Sequence, residues 1–189
     1  MNWAVLYARS RRLAVPLLAP VIALVPLWLG NLVWSGGIGL LGILVVTTLG
    51  VTAASPGLAG QDHDLDRTAS LPWPPRRVAH LAVLTAVTIG AAFLLDFFSD
   101  AGIPAEVLLR DTIGQVGMLA FGVASFGASF GWSLPFLSLV LAVVPGISDV
   151  PPAGWLIQPA DGNAALATAL LATVLGFTGY TLFGPRRVL

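Results

Sequence analysis

The sequence predicts an all-α integral membrane protein with six transmembrane helices. Three observations carry that expectation. First, 57% of the 189 residues are hydrophobic and only 10% are charged, against about 45–50% apolar and about 25% charged in a soluble domain. Second, the mean hydropathy is +0.89. Third, the apolar residues fall in stretches that approach the length of about 20 residues needed for a helical crossing. So little polar surface could not cover so large an apolar interior in water. A soluble globular domain, a disordered chain and a nucleic-acid binder are therefore excluded. The chain is read as one transmembrane domain over residues 1–189, with no room for a separate soluble one. It contains no cysteine, so disulfides, thiolate metal sites and cysteine nucleophiles drop out. It also lacks lysine, and every positive charge is an arginine.

Taken in order, residues 1–13 are too short to span. Trp3, Leu6, Tyr7 and Ser10 recur at helical spacing before Arg9, Arg11 and Arg12 close the segment, the pattern of a helix lying at the membrane surface. A signal peptide is rejected because the apolar run from Leu13 to Trp34 is longer than a signal core. Six spans follow, at about 14–34, 36–58, 79–98, 112–130, 134–147 and 164–183. The first two form a tight hairpin around Ser35. The fifth is short and carries Pro145, so an incomplete crossing is expected.

The arginines set the orientation. With six spans, Arg9, Arg11, Arg12, Arg67, Arg76, Arg77, Arg186 and Arg187 share one side with Asp62, Asp64 and Asp66, a net charge of +5. The other side holds Arg110 with Asp96, Asp100, Glu106, Asp111, Asp149 and Asp161, a net charge of −5. The positive-inside rule then places both termini in the cytoplasm of a multi-pass cell-membrane protein. The spans contain almost no ionisable groups, which argues against an ion-coupled pump or a charged selectivity ring. Small residues form stripes instead: Gly127 and Gly131 in span four, and Thr168, Ala172 and Gly176 in span six. Such stripes let helices approach closely, as internal packing or, on a sharper reading, as a subunit interface.

Residues 60–80 form the one long cytoplasmic loop. Asp62, Asp64 and Asp66 lie in an acidic half, Pro72, Pro74 and Pro75 in a turn-rich half, and Arg76 and Arg77 at a basic end. The prolines forbid a continuous helix, while residues 62–71 can form two to three turns whose first acids suit the helix dipole. Asp62, His63, Asp64 and Asp66 supply possible metal ligands, yet adjacent residues point apart on a helix and no second cluster completes the shell. No metal is expected. A docking helix for a soluble partner fits better than a metal site or a merely solvated face.

At these residues the chain resembles the membrane subunit of type 2 ATP-binding-cassette (ABC) exporters. That family has a surface helix, six spans and internal termini. Its first cytoplasmic loop carries acids, then a threonine, a leucine, a proline and an arginine. The matching positions are Asp64, Asp66, Arg67, Thr68, Leu71, Pro75 and Arg76, with aspartates and Arg67 where the family commonly has glutamates and a glycine. Residues 151–159, rich in proline and bearing Trp155, resemble the re-entrant segment before the family's last span. Phe183–Arg187 resembles its basic ending.

The resemblance implies a permease that is not itself an enzyme. It would move an apolar or amphipathic cargo, pair with a second copy or a similar subunit in the lipid bilayer, and bind a cytoplasmic ABC ATPase through the loop. No Walker A sequence is present, and there is no lysine to complete one. No cofactor is expected in this chain; ATP and Mg would belong to the partner. Three rival readings make different demands on the residues. An intramembrane serine protease lacks a histidine at membrane depth, and a lipid-modifying enzyme would have only the Asp62–Asp66 run for a metal. A non-catalytic assembly factor needs no residue signature and stays open.

Overall fold

The computed structural model describes residues 39–58 and 73–186. All regular elements among them are helical: α1 (Leu40–Ala53), α2 (Ser55–Leu58), α3 (Pro74–Ser99), α4 (Ala105–Phe126), α5 (Ser133–Val143), a 3-10 turn (Trp155–Ile157) and α6 (Asn163–Phe183). Four helical stretches are long and apolar enough to cross a membrane: Leu40–Leu58, α3, α4 and α6. The expected surface helix and the span over residues 14–34 lie outside the described residues.

Local sequence explains several boundaries. Pro56 lacks the N–H that would continue α1 and ends its regular ladder; α2 completes the same crossing after a turn at Ala54. α3 begins at Pro74, five residues before the expected start at residue 79. Pro74 and Pro75 occupy its first positions, where proline is tolerated because those N–H groups have no intrahelical partner. The expected loop over 60–80 therefore ends before Pro74, and Pro75, Arg76 and His80 are helical. α5 has 11 residues, about 16 Å of helix against a hydrocarbon core of about 30 Å, so it stops short of a full crossing.

The fourth helix differs most from expectation. It runs over Ala105–Phe126, not 112–130. It starts early because Arg110 and Asp111 pair with each other inside the helix and do not mark a watery loop. It ends early because Gly127 adopts a left-handed φ of 82° and its N–H caps the Val123 carbonyl. Gly127 and Gly131 thus do not share a helix face: one ends α4, and the other lies in the turn before α5.

α4 is the hub, buried on nearly every side and packed most extensively on α6. At their crossing a Cβ on Gly176 would collide with the Gly117 carbonyl, and a Cβ on Gly117 would lie 2.6 Å from the Thr173 Cα and 2.7 Å from the Ala172 carbonyl. The backbones themselves are in contact, as small residues permit in membrane bundles. α6 buries only a narrow stripe of Ala165, Ala169, Gly176 and Tyr180, while Leu170, Leu171, Val174, Leu175 and Phe183 face outward. In apolar surroundings the threonines Thr47, Thr85, Thr88, Thr168 and Thr173 satisfy their hydroxyls on the carbonyl four residues back.

The two ends of the bundle differ in charge. At one end the Arg77 guanidinium donates to the Thr181 carbonyl (3.1 Å), Arg186 to the Ser125 carbonyl (2.9 Å) and the Tyr180 hydroxyl to the Leu58 carbonyl (2.7 Å). These bonds gather the starts and finishes of α2, α3, α4 and α6 beneath three arginines, the third being Arg76. At the other end Asp96 accepts the Ile103 N–H (2.9 Å) across a turn in which Asp100 and Gly102 have positive φ. Asp149, Asp161, Asp100 and Glu106 are exposed there.

Candidate functional site

The acidic end holds the one polar centre of the described bundle built from buried charge. Arg110 and Asp111 belong to the second turn of α4, with side chains 4% exposed each and the guanidinium Nε 2.8 Å from Asp111 Oδ1. The remaining guanidinium nitrogens donate to the carbonyls of Pro159 (2.9 Å) and Gln158 (2.8 Å). A planar fork with fixed donors suits this geometry, and an ammonium would not reproduce it. Arg110 thereby fastens the segment between α5 and α6 onto α4.

That segment is a run of tight turns. Ile147 and Ser148 donate to the Val144 carbonyl, and Ala153 and Gly154 to Val150. Gly154 packs so closely on Ser148 that a Cβ would collide with its carbonyl. The turns drive Trp155 and Leu156 into the core, 1% and 0% exposed, among Leu44, Leu139, Ala142, Ala165 and Ala169. The edge of the indole presses on α4 where a Cβ on Gly114 would stand 2.6 Å from it, so only glycine fits. The next residue of α4, Gln115, is fully buried.

The sequence pointed to other residues. Asp62, Asp64, Asp66, Arg67, Thr68, Leu71 and Pro72 lie outside the described residues. Pro75 and Arg76 fall in the first turn of α3, with the Arg76 guanidinium 5.2 Å from the Trp73 ring centre, a cation–π contact. Gly131 packs against Gly122, Val123 and Ser55, and the Ser55 hydroxyl donates to the Ala128 carbonyl (2.6 Å). Ala172 and Gly176 face Gly117. Among the described residues no three of His, Cys, Asp and Glu are grouped to hold a metal ion.

Sequence reasoning missed Arg110, Gly114 and Gln115 as a group. The available signal was the spacing of Asp111, Gly114 and Gln115, which places them on one helical face. The expectation that the spans hold almost no ionisable groups changes accordingly: Arg110 and Asp111 are inside a helix of membrane-crossing length.

These features define a class, a multi-pass helical membrane protein. Compared with protein-family models, curated proteins and solved structures, the chain matches none.

Proposed function

We propose that this chain is the permease subunit of a type 2 ABC exporter, moving an apolar or amphipathic cargo with energy from a separate cytoplasmic ATPase. The observation that carries the reading is the Pro151–Pro159 segment. It lies between a short helix and the last one, turns Trp155 into the bundle and is clamped by Arg110. Non-helical backbone at membrane depth is tolerated only where protein covers it; here Trp155 and Leu156 are buried among residues of α1, α5 and α6, while Pro151, Pro152, Ile157 and Pro159 are exposed at the acidic end. In the exporter reading it is the re-entrant element on the outer side.

The remaining parts of the proposal follow from the sequence. A span over residues 14–34 joins Leu40–Leu58, α3, α4, a fifth crossing made by the short α5 together with the turns that follow it, and α6 to make six, with both termini cytoplasmic. The loop of Asp62, Asp64, Asp66, Arg67, Thr68, Leu71 and Pro72, leading into Pro75 and Arg76, docks on the ATPase. Two permease subunits, identical or similar, form the active unit, because six spans are few to enclose a passage for cargo. The outward leucine and valine face of α6 suits lipid or a second subunit.

The test is a pull-down with the ATPase encoded beside this chain, together with cargo transport in reconstituted vesicles. Asp66→Arg/Arg67→Asp and Pro74→Ala/Pro75→Ala should each lower association or transport, while the bundle stays folded. A charged pair buried at an interface loses about 2–5 kcal/mol when one member is removed. Undiminished association and transport in both variants would mean that the loop is not the coupling element. Turnover of a substrate by the isolated chain would replace the permease reading with an enzymatic one.

A further inference from the structure

Among the described residues, five buried side-chain nitrogen and oxygen atoms have no hydrogen-bond partner, and four of them belong to Asp111, Gln115 and Trp155. They are Asp111 Oδ2, both amide atoms of Gln115 and the Trp155 indole nitrogen. The three residues are 3%, 0% and 1% exposed. Asp111 and Gln115 are one turn apart on the same face of α4. The Trp155 ring meets α4 at Gly114, between them in sequence, through its Cη2–Cζ3 edge, across the indole from its nitrogen. Buried polar groups are nearly always paired, and polar groups that the protein leaves unmet are where a buried water or similar small molecule is found.

The chemistry of that molecule follows from what is unmet. Gln115 Nε2 and Trp155 Nε1 can donate; Asp111 Oδ2 and Gln115 Oε1 can accept. Arg110 balances the Asp111 charge at 2.8 Å, so an ion of either sign finds no excess charge to bind. A neutral hydroxyl, which donates and accepts through one oxygen, matches the set. We propose that Asp111, Gln115 and Trp155 form an internal binding site for a neutral hydroxyl group, which donates to a carboxylate or amide oxygen and accepts from the amide or indole N–H. Water and the hydroxyl of a small polyol share this chemistry. The surface is near, since Pro159, whose carbonyl Arg110 holds, is itself exposed. The site does not depend on the exporter reading.

The experiment uses the full chain in detergent micelles with 15N-labelled tryptophan. The Trp155 indole resonance is assigned by its loss in Trp155→Phe. Dipolar transfer from water to that indole proton is measured, then glycerol is titrated in. The expected result is transfer from a long-lived water in the wild type, lost in Gln115→Leu while the Trp155 resonance stays in place. If glycerol leaves the signal unchanged, water is the occupant. If glycerol shifts it saturably and removes the water transfer, the site takes a polyol hydroxyl as well. Absence of both water transfer and a glycerol shift in the wild type overturns the proposal, and this measurement decides even if Gln115→Leu does not fold. A higher Tm in Gln115→Leu would also overturn it, because exchanging an unmet amide for an apolar group of similar size stabilises only an unoccupied site.

Discussion

Gly117 and Gly176 bring the backbones of α4 and α6 into direct contact: a methyl group on Gly176 would fall on the Gly117 carbonyl. No side chain cushions this crossing, so neither position can take a larger residue by rotamer adjustment alone.

Gly176→Val and Gly117→Val are therefore expected to separate the two helices. Overpacking typically costs about 1–3 kcal/mol, and the upper end applies where only backbone can yield. The measurement is thermal unfolding in detergent. Gly90→Ala provides the contrast, since nothing lies within 4 Å of a Cβ there. Alanine in place of a mid-helix glycine gains about 0.5–1 kcal/mol. A Gly176→Val protein as stable as Gly90→Ala would contradict the α4–α6 contact.

Arg110→Ala should destabilise far more than an exposed arginine change. It strands Asp111 and frees the carbonyls of Gln158 and Pro159. Breaking a buried pair from one side costs about 3–5 kcal/mol. Arg110→Lys should recover only part of the loss, because one ammonium does not span both carbonyls and the carboxylate. The double change Arg110→Met/Asp111→Leu should be milder than Arg110→Ala, since it leaves no lone charge. Equal melting of wild type and Arg110→Ala would remove the clamp from consideration.

Tyr180→Phe tests the opposite end. The hydroxyl donates to the Leu58 carbonyl at 2.7 Å and both residues are buried. Its loss leaves that carbonyl unmet, at a cost of about 1–3 kcal/mol, less than the cost of Arg110→Ala. Amide exchange near Leu58 should quicken as well, and unchanged protection there would argue that the bond does not hold the end of α2.

The orientation is open to direct labelling, because the chain contains no cysteine to remove. Ala160→Cys, at the exposed acidic end, should react with an impermeant thiol reagent in intact cells. Leu189→Cys should react only after permeabilisation. The reverse pattern would invert the bundle and place the arginines outside.

Much of this architecture was legible in the sequence where apolar length alone decides. α6 begins one residue before its expected start at 164 and ends at Phe183. The fifth stretch is short, as Pro145 suggested. What was not legible depended on pairing. Arg110 and Asp111 look like a watery boundary when each is counted as a free charge; neutralised by each other and by two carbonyls, they are carried into the bundle. Pro74 and Pro75 look like helix breakers, yet at the first positions of α3 they lack nothing the helix would have used. Gly127 and Gly131 look like a packing stripe on one helix, and only the positive φ at Gly127 divides them. The Gly117–Gly176 contact joins residues 59 positions apart, beyond the reach of any local pattern.

Arg77 gives the basic end a mechanical character. Its bond to the Thr181 carbonyl joins the first turn of α3 to the last turn of α6, while Arg186 hooks the chain after α6 onto the end of α4. The guanidinium also fills the space beside Gly184, where a Cβ would stand 2.6 Å away. A push applied at Trp73–Arg77 thus has a short, stiff route into α6, and from α6 through the cushionless glycine crossing into α4. The three helices would tilt as a single lever, with Arg110 and the Trp155 segment at its far arm.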